Sequence, residues 1–172
     1  MTTIGKLENT PIGTIWVAAS DSGLVGVSLW DDEQQFISEI ARLTGEAVEF
    51  FDDPGPVISG ALVELDAYFR GELREFLTPI DWSILKPFQL DVLEHVFAIP
   101  YGRTTSYRAI AEAIGRPGAM RAVGRANATN PIPIIIPCHR VLGADGKLHG
   151  YGARGGIETK AWLLQLEGSW LI

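Results

Sequence analysis

The chain has 172 residues, a single cysteine, three histidines and a formal net charge of −7. This length suffices for one ordinary domain or two small ones, and folding hides about 70% of the extended chain's surface. One cysteine excludes an intramolecular disulfide and, with so few histidines, makes a cysteine-rich structural zinc site implausible. The N-terminus lacks a basic-then-apolar signal, and no stretch approaches about 18 uninterrupted apolar residues. We therefore expect a cytoplasmic protein with no membrane partner.

The charge is divided unevenly along the chain. Residues 1–85 carry 4 Lys and Arg against 15 Asp and Glu, whereas residues 86–172 carry 10 against 6. Between Tyr101 and Lys160 there are nine basic residues and three acidic ones. This local positive excess favours contact with phosphates. Charge asymmetry also arises when two halves are merely solvated differently, so the pattern alone does not establish nucleic-acid binding.

Residues 1–85 are predicted to form a small α/β (α+β) domain with an antiparallel sheet and helices. Residues 13–19 and 24–30 are strand-like runs, and Asp21-Ser22-Gly23 between them completes a hairpin signature. Two amphipathic helices are expected to follow, because apolar residues recur at helical spacing. These are Phe36, Ile37, Ile40, Ala41 and Leu43 in the first, and Val57, Ala61, Leu62, Leu65, Tyr68 and Phe69 in the second.

Residues 86–172 are predicted to form a mainly helical domain that contains a helix-turn-helix. The first helix of this half is amphipathic, with one face formed by Phe88, Val92, Leu93, Val96 and Phe97. Thr105 and Ser106 can cap a helix from about Tyr107 to Ile114, and a second helix runs from Ala119 to about Ala128. The turn between them is Gly115-Arg116-Pro117-Gly118. Such helix pairs also occur in proteins that never touch DNA.

The second helix of this pair combines small residues with two arginines. Its small residues are Ala119, Ala122, Gly124, Ala126 and Ala128. They let a helix backbone lie close to a surface, and Arg121 and Arg125, one turn apart, can contact phosphates or insert into a base stack. A helix that reads base edges in the major groove more typically offers Asn, Gln or several Arg. We therefore expect binding by shape, without strong sequence preference.

The only cysteine, Cys138, lies between a proline and a histidine at the end of an apolar run. A thiol is a nucleophile only as thiolate, so a reactive cysteine needs positive potential, a nearby base or a helix N-terminus. His139 and Arg140 follow directly, although a lone cysteine is more often a small buried hydrophobe. Each proline of the run fixes φ and removes an N–H, which predicts a rigid, extended wall. These prolines are Pro131, Pro133 and Pro137.

A set of short motifs runs from Phe88 to Gly168. They are Asn130-Pro131, Pro137-Cys138-His139-Arg140-Val141, Gly150-Tyr151-Gly152, Gly155-Gly156, and Lys160-Ala161-Trp162-Leu163-Leu164 followed by Glu167-Gly168. Over this range, and more loosely over the N-terminal half, the sequence resembles the O6-alkylguanine-DNA alkyltransferases, also called methylated-DNA–protein-cysteine methyltransferases. The resemblance implies DNA repair by stoichiometric transfer of a methyl or other alkyl group from O6-alkylguanine, and also from O4-alkylthymine, to Cys138. It further implies minor-groove binding of double-stranded DNA, flipping of the damaged nucleotide, a monomer, and no cofactor or metal.

The resemblance also implies roles for individual residues. Cys138 is the nucleophile, His139 deprotonates it through a water, Glu167 orients the histidine, and Asn130 holds the turn before the cysteine segment. Tyr107, Pro133 and Tyr151 line the substrate pocket, and the DNA contacts are Arg121, which fills the gap left by the flipped base, Arg125, Gln89 and Tyr107. Arg140 is expected to pair with a carboxylate or backbone carbonyls. The sequence departs from the family at Ala153-Arg154, which is inserted before Gly155 in the loop that contacts guanine.

Several alternatives stay open at this point. Spacing alone also fits a Glu167 that is a surface carboxylate at a helix end, and a Tyr107 that is a core aromatic. A helix-turn-helix regulator with a buried or redox-sensing Cys138 would have a preferred operator and undergo no alkyl transfer. A Cys-His hydrolase would turn over acyl substrates. A lesion-binding protein without transfer activity is disfavoured, because proteins of that kind lack the nucleophile.

Overall fold

The computed structural model describes residues 1–29, 32–148 and 156–169, and the chain divides into two compact units. The first unit is Met1–Ile84, and the second begins at Leu85. Among the described residues, no helix combines the length and the apolar character needed to cross a bilayer.

The first unit is built on a four-stranded sheet with the order β3-β2-β1-β4. Strands β1 (Thr2–Thr10), β2 (Gly13–Ser20) and β3 (Gly23–Ser28) are joined antiparallel in sequence order. The predicted hairpin between β2 and β3 is therefore confirmed. The short strand β4 (Val48–Glu49) pairs parallel to β1. The sequence did not predict β4, because a strand of two residues shows no periodicity.

Helices α1 (Glu33–Thr44) and α2 (Pro56–Phe69) pack on opposite faces of this sheet. Ile4 of β1 belongs to a core cluster with Phe36 and Ile40 of α1, whereas a Cβ on the neighbouring Gly5 would meet Ile58 of α2. Adjacent residues of a strand face opposite sides of the sheet, so the two helices cover different faces. Both helices were predicted from their apolar spacing and are confirmed.

The second unit is mainly helical, as predicted. Its helices are α3 (Pro87–Phe97), α4 (Tyr107–Ala113), α5 (Met120–Ala128) and α6 (Gly156–Leu166). Two short strands, β5 (Thr105–Ser106) and β6 (Val141–Leu142), pair in parallel. The α4 and α5 helices confirm the predicted helix pair to within one residue at each end, and both pack against α3.

One residue of the predicted apolar face of α3 is exposed. Val92, Leu93 and Val96 are buried as expected, but Phe97 is 40% exposed. Phe97 is the last residue of the helix. Ile99, just beyond the helix end, is buried in its place, so the apolar face of α3 ends one residue earlier than the periodicity predicted.

Gly23, at the start of β3, lies against the backbone that leads out of the first unit. Its φ is +149°, and a Cβ would lie 2.7 Å from the Pro79 carbonyl oxygen and 2.8 Å from the Ile80 carbonyl carbon. The chain there is tied to β3, because the Leu24 N–H donates to Pro79 at 2.8 Å and the Leu24 carbonyl accepts from Asp81 at 3.0 Å. A side chain at this glycine would force this tied backbone to shift.

We therefore expect Gly23→Ala to lower the free energy of unfolding by about 3 kcal/mol, through steric overlap and backbone strain. Urea denaturation measures this change. Gly60→Ala is the matched control, because the nearest atom to a Cβ there is 3.6 Å away in the middle of α2. That substitution should raise the free energy of unfolding by up to about 1 kcal/mol. Equal effects of the two substitutions would contradict the close approach at Gly23.

Candidate active site

The proline-rich segment before Cys138 folds into a tight turn. Asn130 holds it with both ends of its amide: Oδ1 accepts from the Ile132 N–H and Nδ2 donates to the Ile136 carbonyl, each at 2.9 Å. The Ile136 N–H donates to the Ile132 carbonyl at 2.9 Å. At the apex, Ile134 has a φ of +72°, which a β-branched residue rarely adopts.

The prediction of an extended wall is therefore wrong. Each proline fixes only its own φ, so the isoleucines between them remain free to reverse the chain. The turn buries Pro133, and it brings Ile136 to a position where its carbonyl accepts from the Cys138 N–H at 2.8 Å. Strained backbone that its surroundings over-determine is typical of functional sites. The thiol is thus attached to a rigid, tightly packed segment.

A buried hydrogen-bonded network connects the two residues after the cysteine with the end of α6. The Glu167 carboxylate lies 2.7 Å from His139 Nε2 and accepts two hydrogen bonds of 2.9 Å from Arg140. Arg140 also donates to the Ile99 carbonyl at 2.6 Å. The prediction that Arg140 pairs with a carboxylate and a backbone carbonyl is confirmed. Glu167 is buried, so the alternative of a surface carboxylate is wrong.

Burial and charge determine the protonation states of this network. Burial lowers the pKa of His139 more than the contact with Glu167 raises it, and Arg140 lowers it further. Burial alone would raise the pKa of Glu167, but the hydrogen bonds from His139 and Arg140 lower it to about 2. At neutral pH the carboxylate is therefore ionised and the imidazole is neutral.

The same contacts select one tautomer of His139. An ionised carboxylate can only accept, so Nε2 carries the proton and donates a hydrogen bond to Glu167. Nδ1 is then a proton acceptor. It is buried and makes no hydrogen bond to any atom in the described part of the chain. The network leaves a basic nitrogen available next in sequence to the thiol.

Lys160 is a second cationic group near Cys138. It is fully buried in α6, and its Nζ donates to the Val141 carbonyl at 2.7 Å and to the Tyr107 hydroxyl at 3.5 Å. Burial lowers its pKa to about 8, whereas the charge of Cys138 raises it. Lys160 is therefore charged at neutral pH and favours the thiolate form of Cys138 by electrostatic attraction.

Lys160 had no predicted role, although its position in the sequence carries a signal. Lys160 precedes Leu163 and Leu164 by three and four residues, the spacing at which helical side chains share a face. Both leucines are buried. A lysine on the apolar face of an amphipathic helix is unusual and indicates either a buried partner or a functional role.

A cavity of about 420 Å³ lies in the same unit. Its walls are formed by Tyr107, Met120, Arg121, Gly124, Gly143, Ala144 and Asp145. Cys138 is only 3% exposed and is not part of the cavity wall. Tyr107 is part of the wall, and it lies close enough to Cys138 for the charge of Cys138 to raise the pKa of the Tyr107 phenol. The volume is within the range of small-molecule pockets and is sufficient for a purine.

The two helices of the predicted pair carry several of the predicted DNA contacts. Arg121 and Arg125 of α5 are exposed. Ser106 caps α4 by accepting from the Ala109 N–H at 3.0 Å, so that Tyr107 is the first residue of that helix. The Gln89 amide donates to the backbone and the hydroxyl oxygens of Thr129, both at 3.1 Å. Gln89 thereby holds the C-terminal end of α5.

Several of the residues singled out in the sequence are not placed. Tyr151 and the Ala153-Arg154 insertion lie outside the described residues. Within the described ranges, no three side chains of His, Cys, Asp or Glu come together as they would around a metal ion.

Comparison with known proteins places these features in a family. The family model for the 6-O-methylguanine DNA methyltransferase DNA binding domain matches residues 87–169, and that for the ribonuclease-like domain matches residues 4–82. A methylated-DNA--protein-cysteine methyltransferase of Mycobacterium bovis is 47% identical over 161 residues, which are 94% of this chain and 90% of that protein.

Solved structures agree with this assignment. The Mycobacterium tuberculosis O6-methylguanine methyltransferase superimposes with a TM-score of 0.78 and 44% identity, covering 100% of this chain and 96% of that one. The structure of Mycobacterium tuberculosis OGT in complex with DNA superimposes with a TM-score of 0.78 and 43% identity, covering 97% of this chain and 93% of that one. The chain therefore belongs to the 6-O-methylguanine DNA methyltransferase family.

Proposed function

We propose that this chain repairs double-stranded DNA by transferring a methyl or other alkyl group from O6-alkylguanine, and also from O4-alkylthymine, to Cys138. The observation that carries the proposal is the surroundings of Cys138. A unique thiol precedes a neutral buried imidazole in the sequence and lies within electrostatic reach of a buried ammonium, and a purine-sized cavity lies in the same unit. Relatives named methylated-DNA--protein-cysteine methyltransferases support the same reaction.

The transfer is an in-line displacement at the alkyl carbon. The thiol of Cys138 gives its proton through a water to His139, and the thiolate attacks the alkyl carbon. The S–C bond forms as the C–O6 bond breaks, and the electron pair of that bond returns to the guanine. His139 passes the proton on to the departing base, which leaves as neutral guanine protonated on N1, and the imidazole returns to its neutral form. Such a displacement requires the sulfur to be fixed in line with the breaking bond.

The network around Glu167 prepares His139 for this proton transfer. Glu167 holds the imidazole in the tautomer whose Nδ1 accepts a proton. Arg140 neutralises the carboxylate and lowers the pKa of His139, so the imidazole stays unprotonated until the thiol gives up its proton. The charged Lys160 then stabilises the thiolate. Asn130 contributes by holding the turn that leads to Cys138.

Each molecule is proposed to act once, as a monomer in the reducing cytoplasm. A thioether is not cleaved by water or by cellular thiols on a useful timescale. The chain has no second cysteine to take the group onward, and the displacement consumes no cofactor. A reducing compartment keeps the acceptor thiol available.

We propose that helix α5 lies in the minor groove of double-stranded DNA. An alkyl group on O6 lies within the base stack, so the nucleotide must be rotated out, which costs less for a damaged or mispaired base. Arg121 is exposed and forms part of the cavity wall, and this supports a role in filling the gap that the base leaves. Tyr107, also in that wall, is proposed to contact the rotated nucleotide, and Arg125 to contact phosphate.

Incubation with an oligonucleotide carrying one O6-methylguanine tests this function directly. We expect intact-protein mass spectrometry to show one added CH2 unit per molecule, located at Cys138 by peptide mapping. Cys138→Ala should gain no mass, because the acceptor is gone, yet bind the same duplex with nearly unchanged affinity. An unmodified wild-type protein, or a methyl group on another residue, would contradict the proposal.

The role of Arg121 predicts a difference between two substrates. Extruding a nucleotide costs a few kcal/mol, so Arg121→Ala should slow transfer from duplex DNA about 10- to 100-fold. Transfer from free O6-benzylguanine, which needs no extrusion, should stay within about threefold of wild type. Single-turnover rates on both substrates measure this. Arg125→Ala is the matched control one turn along α5, and it should weaken duplex binding in a salt-dependent way. Equal losses on both substrates would refute the role of Arg121.

A further inference from the structure

Asn127 joins helix α5 to the residue that carries the nucleophile. It follows Arg125 by two positions on α5, yet it is only 3% exposed, whereas that arginine is exposed. Its Nδ2 donates to the Cys138 carbonyl oxygen at 3.2 Å. The helix proposed to contact DNA is therefore hydrogen-bonded to the backbone of Cys138 itself.

The Asn127 side chain also reaches the first residue of helix α4. Asn127 also interacts with Tyr107: burial raises the pKa of that phenol, the charge of Cys138 raises it further, and Asn127 lowers it. One side chain thus contacts both the nucleophile segment and the first residue of α4.

Two further hydrogen bonds of Cys138 are made within its own segment. Its N–H donates to the Ile136 carbonyl at 2.8 Å, and its carbonyl accepts from the Val141 N–H at the end of the 3₁₀ turn Cys138–Arg140. These bonds fix the local shape of the segment. Among the hydrogen bonds described at this carbonyl, the one from Asn127 fixes the position of the segment relative to α5.

We propose that Asn127 is a positioning residue, which holds the backbone of Cys138 at a fixed distance from α5 so that the flipped base meets a correctly aimed sulfur. The inference rests on the proposed alkyl transfer. Misplacing a reacting atom by about 1 Å can cost 100-fold in rate. Because the Asn127 bond acts on the nucleophile, its loss should slow transfer from any donor, free or in DNA. Loss of the Arg121 side chain, by contrast, should slow transfer mainly from duplex DNA.

The Asn127→Asp substitution distinguishes a positioning role from a merely structural one. The two side chains have the same shape, but an ionised carboxylate has no proton to donate to the Cys138 carbonyl, whereas a protonated one has an O–H. Burial raises the pKa of a carboxyl group. The variant should therefore regain the missing hydrogen bond as the pH falls. The readout is the ratio of variant to wild-type maximal single-turnover rate, which cancels the pH dependence that the two proteins share.

At about pH 8.5, Asn127→Asp should react about 10- to 100-fold more slowly than wild type with both free O6-benzylguanine and an O6-methylguanine duplex. Its affinity for the duplex should remain within about threefold of wild type. The rate ratio should rise towards one by about pH 6. Asn127→Ala, which lacks a donor at every pH, should be slow throughout. Asn9→Asp, the same exchange at an exposed residue of the first unit, should match wild type at all pH values.

A rate ratio that does not change with pH, or a loss limited to the duplex, would overturn the inference. Thermal melts at each pH establish whether every variant is folded at the assay temperature. If Asn127→Asp is unfolded, the rate of Asn127→Ala tests the positioning role instead. A wild-type protein that forms no thioether with either donor would refute the proposed function as a whole. A wild-type protein that reacts, with both Asn127 variants equal to it, would refute only the positioning role.

Discussion

The buried carboxylate of Glu167 is the constraint on which the rest of the site depends. It accepts hydrogen bonds from His139 and Arg140, and through Arg140 it connects the end of α6 with the carbonyl that follows α3. Removing one partner of a buried ion pair leaves an uncompensated charge, which is strongly destabilising. The same carboxylate therefore stabilises this part of the second unit and fixes the tautomer of the histidine beside the nucleophile.

The charges around Cys138 are divided between two groups with different tasks. His139 is kept neutral by burial and by Arg140, so it is ready to take a proton. Lys160 stays charged at neutral pH because its pKa falls only to about 8, so it can stabilise a thiolate without taking part in the proton transfer. In the proposed transfer, a base and a counter-ion that are separate side chains keep the sulfur ionised after its proton has left.

Much of the fold follows from local sequence patterns. The helices of the first unit and the α4 and α5 pair repeat apolar or capping residues at helical spacing, and Cys138, His139 and Glu167 lie in recognisable motifs. The turn at Ile134 and the short strand β4 were not predictable, because each depends on contacts with residues that local periodicity does not reveal. The burial of Lys160 and the bond from Asn127 to a backbone carbonyl are also tertiary contacts, and a sequence pattern shows only that such residues occur on helices.

The protonation state of His139 tests this account most directly. In protein labelled with ¹⁵N in its histidine rings, NMR chemical shifts between about pH 6 and pH 8 report the charge and the tautomer, and His139→Gln identifies the signal. We predict a neutral ring across this range, with the proton on Nε2 and none on Nδ1. A ring that is charged at neutral pH, or one that carries its proton on Nδ1, would contradict the account.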